Sequence, residues 1–271
     1  MQTLFITAVV ITLNEEKNIR RCLDSVAFCD EIIVVDSGSD DRTVEIAKAS
    51  GAVVIAQDWL GYGKQKQFAV EQAKNDWVLC LDADEMLSTE LTEAIRSINP
   101  VEGIFAAYEM PRRNHFMGRA LFHGEGYPDM SLRLFNKALG HWSDDLVHEG
   151  VNVKGNIGRL VGDLLHYSEE SITQYLIKQN RYTELQARAL FAVNKKVSFL
   201  KCITSPAIRF IKFYFLRLGF LDGFAGFVHI SIGCMNAFFK YAKLIELHVK
   251  SEKDLGFGNK NSAHKARANR E

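Results

Sequence analysis

The sequence predicts an α/β fold built on a mostly parallel sheet, followed by a helical segment. Three observations lead there. Short apolar, β-branched runs alternate with helix-period stretches through the first 82 residues, the pattern of strands joined by right-handed helical crossovers. Asn14, Asp36 and the pair Asp82/Asp84 each follow such a run, at the carboxyl ends of strands where open parallel sheets bind ligands. From Lys195 onward the composition turns basic and aromatic.

Phe5 to Leu13 is almost continuously apolar, as expected of a strand buried on both faces. Asn14-Glu15-Glu16 ends it, and Ile19, Cys22, Leu23 and Val26 recur at helical spacing. Glu31 to Val35 is a second strand, closed by the turn and cap residues Asp36-Ser37-Gly38-Ser39-Asp40-Asp41. Thr43 to Ser50 reads as a helix stopped by Gly51, and Ala52 to Ala56 as a third strand. Lys64 to Lys74 reads as a helix and Trp77 to Leu81 as a fourth strand. That strand delivers Asp82-Ala83-Asp84-Glu85.

With 271 residues and 47% hydrophobic content the chain can build one large domain plus an appendage. Its formal charge of zero hides an asymmetry. The first 194 residues hold 19 basic and 28 acidic side chains, whereas the remainder holds 14 basic and 5 acidic. The five cysteines are scattered and form no CxxC pair, which argues for buried thiols in a reducing compartment and against a disulfide frame or zinc site. The apolar start lacks a basic n-region and cleavage site, so it reads as a strand and not as a signal peptide.

Two carboxylates at a strand end suit a hard divalent cation, Mg²⁺ or Mn²⁺, which takes oxygen ligands and keeps phosphate oxygens among them. The first strand is followed by no Gly-x-Gly, and no P-loop occurs, which disfavours hydride chemistry on a dinucleotide. Asp36 is placed to bind a base edge or ribose hydroxyl. Such a nucleotide site has no glycine cradle, so a metal must carry the diphosphate charge.

Taken together, Thr12-Leu13-Asn14-Glu15-Glu16, Val34 to Thr43, Gly61 to Gln67, Leu81 to Glu85, Arg133-Leu134-Phe135 and Val147-His148-Glu149 resemble glycosyltransferase family 2, the inverting nucleotide-sugar enzymes of the GT-A fold. Asp129, Asp144-Asp145, Gly150 and Gly219 to Gly223 make the chain similar to the bacterial lipopolysaccharide inner-core β-1,4-glucosyltransferases. The resemblance implies a UDP-sugar donor, glucose from UDP-glucose, and a heptose of a lipid-anchored lipopolysaccharide core as acceptor, with another cell-surface glycan or lipid-linked acceptor as the alternative. It implies that Asp36 holds the nucleoside, that Thr12, Asn14 and Glu16 line the same end, and that Lys64 or Gln67 reaches the donor. Asp82 and Asp84 would hold the metal–diphosphate, with Asp84 the direct ligand. Glu149 would be the general base, with Asp144 and Asp145 as alternatives, and His148 a neighbour of the metal or leaving group. No nucleic-acid partner is expected.

The chemistry agrees with that assignment. Displacing a nucleoside diphosphate requires neutralising leaving-group charge, and inversion requires one carboxylate to deprotonate the acceptor hydroxyl. Arg133 reads either as a diphosphate or acceptor contact or as a structural ion-pair partner. Arg112-Arg113-Asn114-His115 reads either as a contact for an anionic acceptor or as a solvated turn after Pro111. His123 and His141 are read as structural.

The expected organisation is a catalytic domain over 1–165, with a donor half of about 1–100 and an acceptor half of about 101–165. A helical, aromatic and basic segment follows over 166–255, then a flexible basic tail over 256–271. Lys201, Arg209 and Lys212 fall within an arc of about 80° on a helix. Gly223 to Phe239 is uncharged but short of the ~20 residues that span a bilayer. The favoured expectation is a helical pair lying on anionic lipid at the inner face of the cytoplasmic membrane. A packed helical subdomain, a dimer contact and a true span are the alternatives. Two other functional classes remain at this level. One is a haloacid-dehalogenase-type phosphohydrolase, against which stand Met86 in the motif and three strands before it. The other is a membrane-binding module without catalysis.

Overall fold

The computed structural model describes residues 4–99, 104–143, 150–167 and 171–268. The chain forms two compact units, Met1–Glu169 and Glu170–Glu271.

The first unit starts with β1 (Ile6–Thr12), every residue of which is buried. There follow α1 (Ile19–Ser25), β2 (Glu31–Asp36), α2 (Thr43–Ala49), β3 (Val53–Ala56), α3 (Tyr62–Gln72) and β4 (Trp77–Asp82). Strands β3, β2, β1 and β4 run parallel in that order. Each expected strand and helix of this half is present, with ends moved by a residue or two, as usual at frayed termini. Strand alternation splits the core into two layers. Ile6, Ala8 and Val10 pack with Ile19, Cys22 and Leu23 of α1. Val9 and Ile11 face the other way, with Ala69 and Val70 of α3 and Trp142.

The remaining elements are β5 (Glu85–Leu87), α4 (Thr89–Arg96), β6 (Ala107–Phe116), β7 (Arg119–Ala120), β8 (Asp129–Asn136), β9 (Gly140–Trp142), β10 (Val151–Val153), β11 (Ile157–Arg159) and β12 (Leu164–Tyr167). They extend the sheet in the order β4-β8-β6-β12-β5. β8 runs antiparallel to both β4 and β6, and β12 runs parallel to β6 and antiparallel to β5. The turn considered after Pro111 is therefore absent: Arg112, Arg113, Asn114 and His115 lie within β6 and pair with β8 or β12.

In the second unit, α5 (Ile172–Ala192) opens with a capping box made by Ser171 and Gln174, which satisfies two orphan N–H groups. α6 (Phe199–Phe210) carries Pro206 and passes into a π-helical turn, Ile211–Leu216. A 3₁₀ turn, Gly219–Asp222, leads into α7 (Gly223–Ala268). Residues 166 and 167, expected to begin the helical segment, belong to β12, because the sheet needs that strand between β6 and β5. Helix α7 runs through most of 256–271, expected to be a tail; its Lys, Arg and Ala are good helix formers.

Candidate functional site

The parallel register assembles the site. Thr12 is level with Asp36 on β2, and Ile11 is level with Asp82 on β4, so neighbouring strand ends lie about 4.8 Å apart. The loops after β1 and β2 are tied together. Asn14, at φ 56°, donates its N–H to Ser39 Oγ at 2.8 Å and accepts from the Asp40 N–H on Oδ1 at 2.9 Å. Asn tolerates this left-handed conformation because its short side chain bonds locally. Glu16 donates its N–H to Asp41 Oδ2 and accepts from the Arg42 N–H on Oε2. The Asp36 carboxylate accepts from the N–H groups of Gly38 and Ser39 at 3.0 and 2.9 Å and from Ser39 Oγ at 2.5 Å. Three of its roughly four acceptor positions thus shape the loop. Thr12 Oγ1 is buried and meets no hydrogen-bond partner among the described residues.

Helix α3 brings Lys66 to the centre of the site, whereas Lys64 is exposed. Lys66 shares a buried face with Ala69 and Val70, the i, i+3, i+4 spacing of a helix stripe. That spacing was present in the sequence and singles out Lys66 over Lys64. Gln67 is committed to structure: its Oε1 accepts from the Trp142 N–H at 3.0 Å and its Nε2 donates to Glu71.

Asp82 sits in a network of opposite charges. Lys66 Nζ lies 3.0 Å from its Oδ1, and Arg133 Nη2 donates to its Oδ2 at 3.1 Å. Burial alone would raise the Asp82 carboxyl, but Lys66 and Arg133 override it and hold the group below the usual carboxylate range. Glu85 is fully buried beneath. Its Oε1 accepts from Arg133 at 2.6 Å and meets Arg112 Nη1 at 3.5 Å, while its Oε2 accepts from the Asp82 N–H at 3.0 Å. Arg112 is also held by Asp129 at 2.6 and 2.9 Å. Burial disfavours charge on Arg133, yet Glu85 and Asp82 outweigh it and raise its pKa. Arg133 thus forms buried ion pairs with Asp82 and Glu85.

Asp84 faces the other way. Its Oδ2 is 3.1 Å from His166 Nε2 at the end of β12. His166 Nδ1 is 2.8 Å from Asn114 Oδ1, and the Asn114 Nδ2 group donates to the Gly126 carbonyl. That last bond orients the amide, so Oδ1 must accept and Nδ1 must carry the proton; this tautomer follows from the network. Nε2 is then turned to the Asp84 carboxylate, where a proton or a cation can bridge the two. The Tyr167 N–H fastens this loop by donating to the Asp84 carbonyl at 2.9 Å. Among the described residues no three His, Cys, Asp or Glu side chains gather as a complete metal cage. The Asp84–His166 pair fits a cation that draws further ligands from a bound phosphate.

Asp144, Asp145, His148 and Glu149 lie outside the described residues. Lys66, Glu85 and His166 are the participants that sequence reasoning did not assign. His166 joins Asp84 across 82 positions, a pairing with no local signature.

The glycosyltransferase family 2 profile matches residues 7–105. A glycosyltransferase of Rickettsia typhi is 38% identical over 94% of this chain and 91% of its own length. The lipopolysaccharide core biosynthesis glycosyltransferase LpsC of Rhizobium meliloti is 31% identical over 90% of this chain and 93% of its own. Among solved structures, glucosyl-3-phosphoglycerate synthase from Mycobacterium tuberculosis, in complex with Mn²⁺, UDP and its product, is similar over 72% of this chain and 82% of that one, at 19% identity and TM-score 0.45. The chain belongs to glycosyltransferase family 2. It has the GT-A fold and is an enzyme of the glycosyltransferase class, which sets aside both the phosphohydrolase and the non-catalytic reading.

Proposed function

We propose that the protein transfers a hexose, glucose from UDP-glucose, to a heptose of a lipopolysaccharide inner core by single displacement with inversion. The observation that carries the donor chemistry is the pairing of Asp84 with His166, oriented by Asn114. Asp82 is already balanced by Lys66 and Arg133, so the incoming diphosphate needs a further cation. Mg²⁺ or Mn²⁺ would be held by Asp84 and His166, and the imidazole nitrogen favours Mn²⁺ over Mg²⁺. When bound, the ion neutralises charge on the departing diphosphate.

The chain's own residues do the rest. Asp82 holds Lys66 at the strand ends through their ion pair. Thr12 Oγ1 offers an unsatisfied hydroxyl to the donor, and Asp36 braces the loop that receives the nucleoside while retaining one acceptor position for it. The acceptor hydroxyl would be deprotonated by a carboxylate of the 144–149 segment, Glu149 or else Asp144 or Asp145, and His148 would neighbour the metal or the leaving group. The lipopolysaccharide acceptor rests on similarity to a relative named for core biosynthesis.

The test is turnover of a panel of nucleotide sugars with a heptose-containing lipid acceptor and added Mn²⁺. UDP-glucose should give inverted, β-linked product, and chelation should abolish turnover. Full activity in chelator, or in Asp84→Asn, would overturn the metal role. Transfer from another nucleotide sugar alone would overturn the glucose assignment.

A further inference from the structure

Between Glu184 and Asp222 the chain carries Arg188, Lys195, Lys196, Lys201, Arg209, Lys212 and Arg217 and no acidic residue. The same stretch exposes large apolar side chains. Phe199 is 73% exposed, Leu200 66%, Ile208 64%, Leu216 75% and, at the start of α7, Phe224 69%. Leu200 and Ile208 lie eight positions apart, and Lys201 and Arg209 repeat that spacing one residue on, so an apolar stripe and a basic stripe run side by side along α6. Past α6, three cations surround one ring: Arg209 Cζ and Lys212 Nζ are 5.2 Å from the centre of Phe213, and Arg217 Cζ is 5.8 Å away. Exposed apolar area on this scale marks an interaction surface.

We infer that α6, the π turn and the start of α7 form a docking surface for a bilayer containing anionic phospholipid. The apolar side chains would enter the acyl boundary, and the basic side chains would snorkel to lipid phosphates. Charge decides between occupants. A second copy related by a two-fold axis would set this patch against itself, opposing Arg209, Lys212 and Arg217 with like charges. An anionic leaflet complements them; the negative surface potential of the cytoplasmic leaflet makes it the matching surface. On this inference the surface lies on the membrane. Among the described residues no single helix is long and apolar enough to span, and the one pair that passes together, Phe199–Leu216 with Gly219–Ser251, is bent by 76°. This inference is independent of the donor chemistry.

The full-length protein is floated with vesicles of phosphatidylcholine alone and of phosphatidylcholine mixed with phosphatidylglycerol, at low and high salt. Flotation should require phosphatidylglycerol and fall in high salt. Each lipid-facing cation contributes roughly fivefold, so replacing the exposed cations in Lys201→Gln/Lys212→Gln/Arg217→Gln should weaken partitioning about a hundredfold. Phe215→Ser/Leu216→Ser should weaken it at both salt concentrations. Both variants should keep wild-type hydrolysis of a soluble donor, which shows that they fold. No flotation at low salt would overturn the inference. So would equal flotation of the triple variant, a dimer in light scattering that needs Phe215 and Leu216, or resistance to alkaline extraction, which would signify a span.

Discussion

Replacing Glu85 by Gln should destabilise the catalytic unit far more than its small change in shape implies. Glu85 has no exposed side-chain surface, and it answers Arg133, itself only 6% exposed, at 2.6 Å. It also accepts from the Asp82 N–H and meets Arg112. A glutamine has one carbonyl oxygen, so it can accept from Arg133 or from the Asp82 N–H but not from both. The other position would place N–H against N–H. Removing one partner of a buried ion pair costs about 3–5 kcal/mol, of which the retained hydrogen bond returns about 1 kcal/mol. The net loss is about 2–4 kcal/mol, a fall in Tm of roughly 5–15 °C for a unit of this size. Thermal unfolding followed by circular dichroism measures it, with Glu45→Gln as control. Glu45 pairs with Arg42 at 2.9 Å, but both are well exposed, so that change should leave Tm nearly unmoved. Equal Tm shifts for the two variants would refute the claim that the buried network carries stability.

Other outcomes follow from the same geometry. Lys66→Met should leave Asp82 with Arg133 as its remaining close cation and lower kcat by at least about tenfold, as expected for loss of a positioned charge, whereas Lys64→Met should be nearly neutral; steady-state kinetics compares them. The Asp82 carboxyl is held below its ordinary value, so its contribution to stability is fully present above the unfolded pKa of about 4 and is lost as pH falls through the folded value; Tm should decline below about pH 4 in the wild type and more shallowly in Asp82→Asn. Burial pushes the Cys80 thiol to about 12, so labelling by a thiol reagent at mildly alkaline pH should reach it only on unfolding.

The donor half was legible because its signals are local. Each parallel strand is a continuous apolar run, and the runs of β1, β2 and β4 end in the candidate site residues Thr12, Asp36 and Asp82. The rest of the sheet was not, because β8, β6 and β12 gain their meaning from partners far away in sequence: Leu79 pairs with Leu134, and Asn114 with His166. The DxD motif announced a carboxylate site but not its division of labour. Asp82 and Asp84 look alike in sequence, and only the fold brings Lys66 and Arg133 to one and His166 to the other. Helical spacing already favoured Lys66 over Lys64, through Ala69 and Val70. The ion pairs of Arg133 with Asp82 and Glu85 cross 51 and 48 positions of sequence and have no local signature.

The central claim is that Asp84 and His166 hold the donor's cation while Asp82 holds protein cations. Mn²⁺ binding in the presence of UDP, read by electron paramagnetic resonance, tests it most directly. Asp84→Asn and His166→Gln should each weaken binding by at least about tenfold, and Asn114→Ala, which frees the ring orientation, by about 10–100-fold. Asp82→Asn should retain Mn²⁺ binding. Wild-type Mn²⁺ affinity in His166→Gln, or loss of the ion in Asp82→Asn alone, would contradict the account.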